Sequence, residues 1–487
     1  MRTSPLIFLI VFASCVTSSF VPNRPEKLSR GLESFKPAQP EEWMLSNGLR
    51  VLYLEDKELP LMSGAIYFPG GSLFEPETLV GLAAATGSLL REGSVQGISP
   101  DEFDRKVDAL GAKIESDFGA EFGSVKFSSL AQDFPQVFDW FTRVLREPAF
   151  DSRRLLIWKK LAAEAILKRK DDPDIMAGMA FRELVYGEGS PYSREATLET
   201  VQRINRDAIV QFAAQYVRPN GAILAMAGSV DSKEVRRLIS TQLSSWRENP
   251  DPLPPLPPIA EVASPGIYIL NRDFDQARVV MGHLGPPRFP PDLYEILVFN
   301  EILGSGGFGS VLFSEIRTVL GLAYEVNGYL APGPVQGVFQ VDVATRNDQV
   351  GNALIKVNEI LERTRDESIS LEKFDEGQRA VTNSFVFKFT SSQAVVSRQA
   401  VLKLLGYPSD YDERFIERIE AVNRSSYREV ANRWVHPEQL VQVIVGRVKA
   451  EDIAALIGPG VEIAEFDFDT KPRIRRSETI SGIALVP

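Results

Sequence analysis

Two stretches of this chain repeat one pattern at a fixed separation. Asn205-Arg206 recurs as Asn423-Arg424, Ala213 as Ala431, and Gly228 as Gly446. Tyr216-Val217-Arg218-Pro219 likewise returns as Trp434-Val435-His436-Pro437, each pair 218 residues apart (423 minus 205). In both copies a helical stretch leads to a Pro turn, an apolar run, a Gly and an amphipathic helix. The runs Ala222–Ala227 and Leu440–Val445, bounded by Pro and Gly, predict buried strands. Apolar spacing at Val235, Leu238 and Ile239, and again at Ile453, Leu456 and Ile457, predicts the helices that follow. One supersecondary pattern repeated so far apart implies two similar domains, not a short-period solenoid.

The division falls at Glu248-Asn249-Pro250-Asp251-Pro252-Leu253-Pro254-Pro255-Leu256-Pro257-Pro258, whose prolines stiffen the chain towards polyproline II. Residues 41–247 form the first predicted domain, 248–262 the linker and 263–470 the second domain. Strands at Arg50–Leu54 and Gly266–Leu270 open the two halves. Each half mixes hairpin-like strands with long helices, so the expected class is α+β: a mixed, mostly antiparallel sheet packed with helices.

The N-terminus reads as an export signal. Arg2 precedes the run Leu6–Ala13, which is too short to span a bilayer. Phe12-Ala13-Ser14-Cys15 resembles a bacterial lipobox with an unusual Phe at its first position, which makes Cys15 the expected lipidation site. Cys15 is also the only cysteine of the 487 residues, which excludes a disulfide within one chain. Residues 1–15 are therefore read as signal, 16–40 as a polar tether, and the chain as a periplasmic or membrane-anchored lipoprotein of a bacterium. Lys471, Arg473, Arg475 and Arg476 mark residues 471–487 as a basic, solvated tail. The net charge of −11 argues against nucleic acid as a partner.

Gly81-Leu82-Ala83-Ala84-Ala85-Thr86-Gly87-Ser88-Leu89-Leu90-Arg91-Glu92-Gly93-Ser94 resembles the zinc-binding segment of the insulinase-like (pitrilysin-type) peptidases. That segment reads Gly-x-Ala-His-x-x-Glu-His. Histidines four apart share a helix face and bind zinc, and the Glu acts as base on metal-bound water. Here those positions are Ala84, Gly87 and Ser88. The family's third ligand, a Glu ahead of a turn similar to Asp171-Asp172-Pro173, aligns with Ala165, next to Glu164. Only two histidines occur, His283 in a strand-like run and His436 in a Pro turn. Structural or surface roles are expected for both, with no metal and no cofactor.

The second half keeps the family pattern. Asn300-Glu301-Ile302-Leu303-Gly304-Ser305-Gly306 is similar to Asn-x-x-Leu-Gly-Gly-Gly, and its glycines read as a flexible turn near the cleft. Leu312-Phe313-Ser314-Glu315-Ile316-Arg317-Thr318-Val319-Leu320-Gly321-Leu322-Ala323-Tyr324 matches Leu-Phe-x-x-Ile-Arg-x-x-x-Gly-Leu-Ala-Tyr without a gap. The resemblance implies that Arg317 and Tyr324 bind peptide substrate, as donors to a carbonyl and its developing oxyanion. From the residues alone, Arg317 could instead serve a helix C-terminus and Tyr324 be an ordinary strand aromatic. In some members of the family a zinc-bearing protomer is completed by a metal-free one, as in mitochondrial processing peptidase. The implied function is that of the second kind: a non-catalytic subunit forming half of a clamshell, which supplies Arg317 and Tyr324 to a zinc-bearing homologue and holds peptides. The alternative is a structural or assembly protein that retains the fold without a role in proteolysis.

Overall fold

The computed structural model describes residues 36–259, 265–458 and 462–465. The signal segment with Cys15, tether residues 16–35 and the tail 471–487 lie outside the described residues. No helix among the described residues is long and apolar enough to cross a membrane.

The first half contributes β1 (Glu41–Met44), β2 (Arg50–Glu55), β3 (Leu61–Pro69), β4 (Lys113–Phe118), β5 (Phe122–Leu130) and β6 (Ile223–Gly228). They form a six-stranded sheet in the order β1-β2-β6-β3-β5-β4, in which only β2 and β6 run parallel. The second half contributes β7 (Gly266–Asn271), β8 (Gln276–Leu284), β9 (Ala323–Ala331), β10 (Val338–Arg346), β11 (Val441–Gly446) and β12 (Ile463–Glu465). Their order is β12-β7-β11-β8-β10-β9. The inner five strands of the two sheets therefore follow one plan, with the repeated runs as β6 and β11. Both are buried over nearly their whole length, which explains their continuous apolar sequence: a central strand is covered on both faces. Only the outermost strand breaks the symmetry. β1 precedes its neighbour and pairs antiparallel to it, whereas β12 comes from the end of its half and pairs parallel to β7.

One face of the first sheet buries Val51, Ile66, Phe68, Val125 and Leu224 against helices that include Leu82–Glu92, Phe134–Arg146 and Arg206–Tyr216. Its other face is covered from outside its own half. Val396 and Ala400, on the helix Ser392–Leu404 of the second half, pack on Leu52, Ala65, Ile223 and Ala225. The favour is returned by the helix Pro173–Tyr186 of the first half. It seats Met176, Ala177, Phe181 and Leu184 on Tyr268, Leu270, Val280 and Val443 of the second sheet. The two halves thus exchange one helix each. Gln393 Nε2 reaches the Ala225 carbonyl at 3.3 Å, Lys403 pairs with Glu42 at 2.7 Å, and Arg278 pairs with Asp174.

The proline-rich segment follows the surface of the first half. Arg218 Nη1 donates to the carbonyls of Asn249 (3.1 Å) and Asp251 (2.5 Å), and the Tyr192 hydroxyl donates to that of Pro257 (2.7 Å).

Candidate functional site

Arg317 and Tyr324 are presented by an irregular stretch of the second half. The helix Leu293–Asn300 continues into a π-helical turn, Glu301–Ser305, and after a short turn at Gly307–Gly309 the segment Phe313–Val319 is again π-helical. Such wide turns are uncommon and recur at functional sites. The Asn300 amide donates to the Leu330 carbonyl (2.8 Å) and accepts from the Leu330 N–H (2.7 Å), which fastens the helix end to β9. A Cβ placed on Gly304 would lie 2.6 Å from Gly328 Cα, so the glycine lets this turn touch the β9 backbone. The glycines expected to give a flexible turn therefore include one that serves close packing.

These contacts bring the two residues together. The Arg317 guanidinium carbon lies 5.1 Å from the centre of the Tyr324 ring and 4.6 Å from that of Phe313. Phe308 stands 5.7 Å away on a third side and is 80% exposed; Tyr324 is 71% exposed. Among the described residues the guanidinium has no hydrogen-bond or ion-pair partner. Ring faces attract the cation by about 0.5–1 kcal/mol at exposed sites. They leave its in-plane N–H groups free to meet an acceptor. Among the described residues β9 pairs with no strand but β10, and its other edge meets the π-helical turn, where Asn300 holds Leu330 and Gly304 abuts Gly328.

In the first half, the helix Leu82–Glu92 carries the positions of the zinc motif. Ala84 is exposed, and Ala165 and Glu164 are exposed on the helix Ser152–Lys168. Ser88 donates to Glu92 at 2.8 Å. Gly87 faces β4: a Cβ there would sit 2.6 Å from Phe118 N and 2.9 Å from Asp117 C. The Ser116 hydroxyl locks the approach by donating to the Gly87 carbonyl (2.5 Å) while accepting from Arg91 N–H (3.1 Å). These side chains do not fit a zinc ion, since methyl, hydrogen and a paired hydroxyl stand where imidazole and carboxylate are needed. Among the described residues no three His, Cys, Asp or Glu side chains converge to hold a metal.

Both histidines have structural partners. His283 Nδ1 contacts its neighbour's carbonyl, Leu284 O, at 2.8 Å, and its Nε2 accepts from the His436 N–H at 3.0 Å. That pattern requires the neutral ring with its proton on Nδ1. Burial pushes His283 down to about 4.

A cavity of about 790 Å³ separates the two halves, with Ala84, Phe118 and Arg194 on one side and Tyr329, Val338 and Gln340 on the other. Glu75 lines it, buried, and accepts from Ala83 N–H (2.5 Å) and Gly81 N–H (3.0 Å) at the start of the helix Leu82–Glu92. Burial raises its pKa above the usual carboxylate range, against the pull of those two hydrogen bonds. This anchor had no signal in the sequence, because an isolated Glu before a Pro says nothing of which N–H groups it will meet.

A family model described as "Insulinase (Peptidase family M16)" matches residues 50–172, and one described as "Peptidase M16 inactive domain" matches residues 203–381. The chain belongs to the M16 family. Among M16 relatives, it is 25% identical over 398 residues to an uncharacterized zinc protease of Streptomyces coelicolor, covering 80% of this chain and 85% of that protein. It is 21% identical over 412 residues to a non-peptidase homolog of Helicobacter pylori, covering 82% and 92%. The crystal structure of a peptidase M16 inactive domain from Pseudomonas fluorescens shares its fold, with a TM-score of 0.78 at 21% identity over 85% of this chain and 99% of that one. M16 relatives thus include proteins named as proteases and proteins named as non-peptidases.

Proposed function

We propose that this chain is the non-catalytic, substrate-binding subunit of an insulinase-like zinc peptidase that acts outside the cytoplasm. Arg317 and Tyr324 would donate to the backbone of a peptide whose cleavage is performed by a zinc-bearing homologue facing them. One observation carries this reading: the half-buried Arg317 guanidinium and the exposed Tyr324 phenol lie side by side, without hydrogen-bond or ion-pair partners among the described residues, on a chain whose Gly87 leaves no space for a catalytic base. A structural role for Arg317 would have engaged its N–H groups in helix carbonyls or carboxylates. The export signal and Cys15 support a location beyond the cytoplasmic membrane.

The test is reconstitution. The chain and a zinc-bearing homologue from the same organism are assayed on unstructured peptides, each alone and mixed. The mixture is expected to cut. Arg317→Ala combined with Tyr324→Phe should lower its kcat/KM by about 100-fold or more, the scale for losing oxyanion donors. Activity that ignores both substitutions would leave the assembly-protein alternative standing. Chelator-sensitive cleavage by the isolated chain would overturn the reading altogether.

A further inference from the structure

A second cavity, of about 750 Å³, lies between the helices Ser152–Lys168 and Pro173–Tyr186, and peptide binding at Arg317 makes no use of it. Its floor is apolar, formed by buried Val80, Met176 and Met179, and its rim carries the partly exposed Leu167 and Leu198. Glu183 stands one turn beyond Met179 on the same helix face and lines the same space. Among the described residues its carboxylate has no hydrogen-bond or ion-pair partner. Burial, with the charge of Glu188 added, pushes it up to about 7. A half-buried carboxyl without a partner is costly, and such groups in cavities are commonly completed by a ligand.

The other charges of the wall identify what is missing. Arg169 is committed to the Ala196 carbonyl (2.7 Å) and to Glu195 (3.4 Å), and Arg194 to the Glu75 carbonyl (2.6 Å). Glu199 is paired with Arg203 at 2.5 Å. Glu77, Glu183 and Glu188 remain, opposed by Lys170 and by Arg194, whose cation interacts with Glu77, so that Glu183 and Glu188 hold the surplus negative charge. The cavity therefore combines a greasy floor with an excess of negative charge at one end. Its size is that of sites which enclose whole small ligands, and thioethers adapt to varied apolar shapes.

We propose that this cavity binds a cationic amphiphile, its apolar body on Met176 and Met179 and a primary ammonium against Glu183 and Glu188. The ammonium has two sources: a lysine flanked by apolar residues in a peptide, or a free alkylamine. The site is independent of Arg317 and Tyr324, so its failure would leave the subunit role untouched.

The full chain is titrated calorimetrically at pH 8 with n-octylamine, octan-1-ol and octanoate. Octylamine is expected to bind at least about tenfold more tightly than octan-1-ol, the scale of one charge-assisted hydrogen bond. Glu183→Gln should bring it down to the level of the alcohol, and Leu167→Trp, at an exposed position on the rim, should weaken both. A blocked Leu-Lys-Leu peptide that outbinds Leu-norleucine-Leu assigns the ammonium to a peptide side chain; binding of octylamine without that preference assigns it to a free amine. Equal affinity for amine and alcohol, no binding of either, or octylamine affinity unchanged in Glu183→Gln would overturn the proposal.

Discussion

Ser392 and Asp56 are 336 residues apart in the chain, yet the Ser392 hydroxyl donates to the Asp56 carboxylate at 2.5 Å. The hydrogen bond holds the start of one exchanged helix at the end of β2, and it draws the Asp56 pKa below its ordinary value. Because each half covers a sheet face of the other, neither can leave without exposing its partner's core.

The exchange can be tested by cutting the connection. A protease site inserted after Ile259, once cleaved, should leave two fragments that co-elute by size exclusion without denaturant. Phe181→Ala, which empties a position 1% exposed between the halves, should cost about 3–5 kcal/mol in urea unfolding. Fragments that separate spontaneously would show that the helices do not brace the molecule.

Restoring the metal residues should fail for a steric reason. Ala84→His and Ala165→Glu, both at exposed positions, should each change stability by less than about 0.5 kcal/mol. Gly87→Glu must push β4 away and should destabilise by about 1–3 kcal/mol or more. A variant carrying these three changes with Ser88→His is expected to retain less than one zinc per chain on metal analysis after dialysis. Stoichiometric zinc in a well-folded variant would contradict the packing argument.

Asn300 is expected to act through β9. Asn300→Ala strips the Leu330 backbone of both partners, and should cost about 1–3 kcal/mol in equilibrium unfolding. It should also reduce the peptidase activity of the reconstituted mixture, because β9 carries Tyr324. Full stability and activity in the variant would reduce the Asn300 contacts to incidental ones.

His283 makes stability fall in acid. Its folded pKa is about 4, below the ordinary imidazole value of about 6.5. The unfolded chain therefore binds a proton through that window while the folded chain does not. The stabilisation is complete above pH 6.5 and is lost as pH falls towards 4, with a slope of at most about 1.4 kcal/mol per pH unit. Urea unfolding at pH 7, 6 and 5 should show a shallower dependence for His283→Gln than for the natural chain; identical slopes would contradict it.

The duplication, the buried runs that became β6 and β11, and the residue types at 84, 87, 88 and 165 were all readable along the chain. So was the interval between Arg317 and Tyr324. Such features are local: periodicities of two and of 3.6 residues, and side-chain chemistry at fixed spacing, survive in one dimension. Tertiary structure alone decided which sheet each helix covers, since the apolar face of Pro173–Tyr186 suits either sheet and only the folded path sends it to the second. It also decided that Gly87 is wedged against Phe118, that Gly304 serves contact with Gly328, and that Glu183 is left without a counter-charge. Each of those depends on what arrives from elsewhere in the chain, and no residue carries in its own neighbourhood the identity of a partner tens or hundreds of positions away.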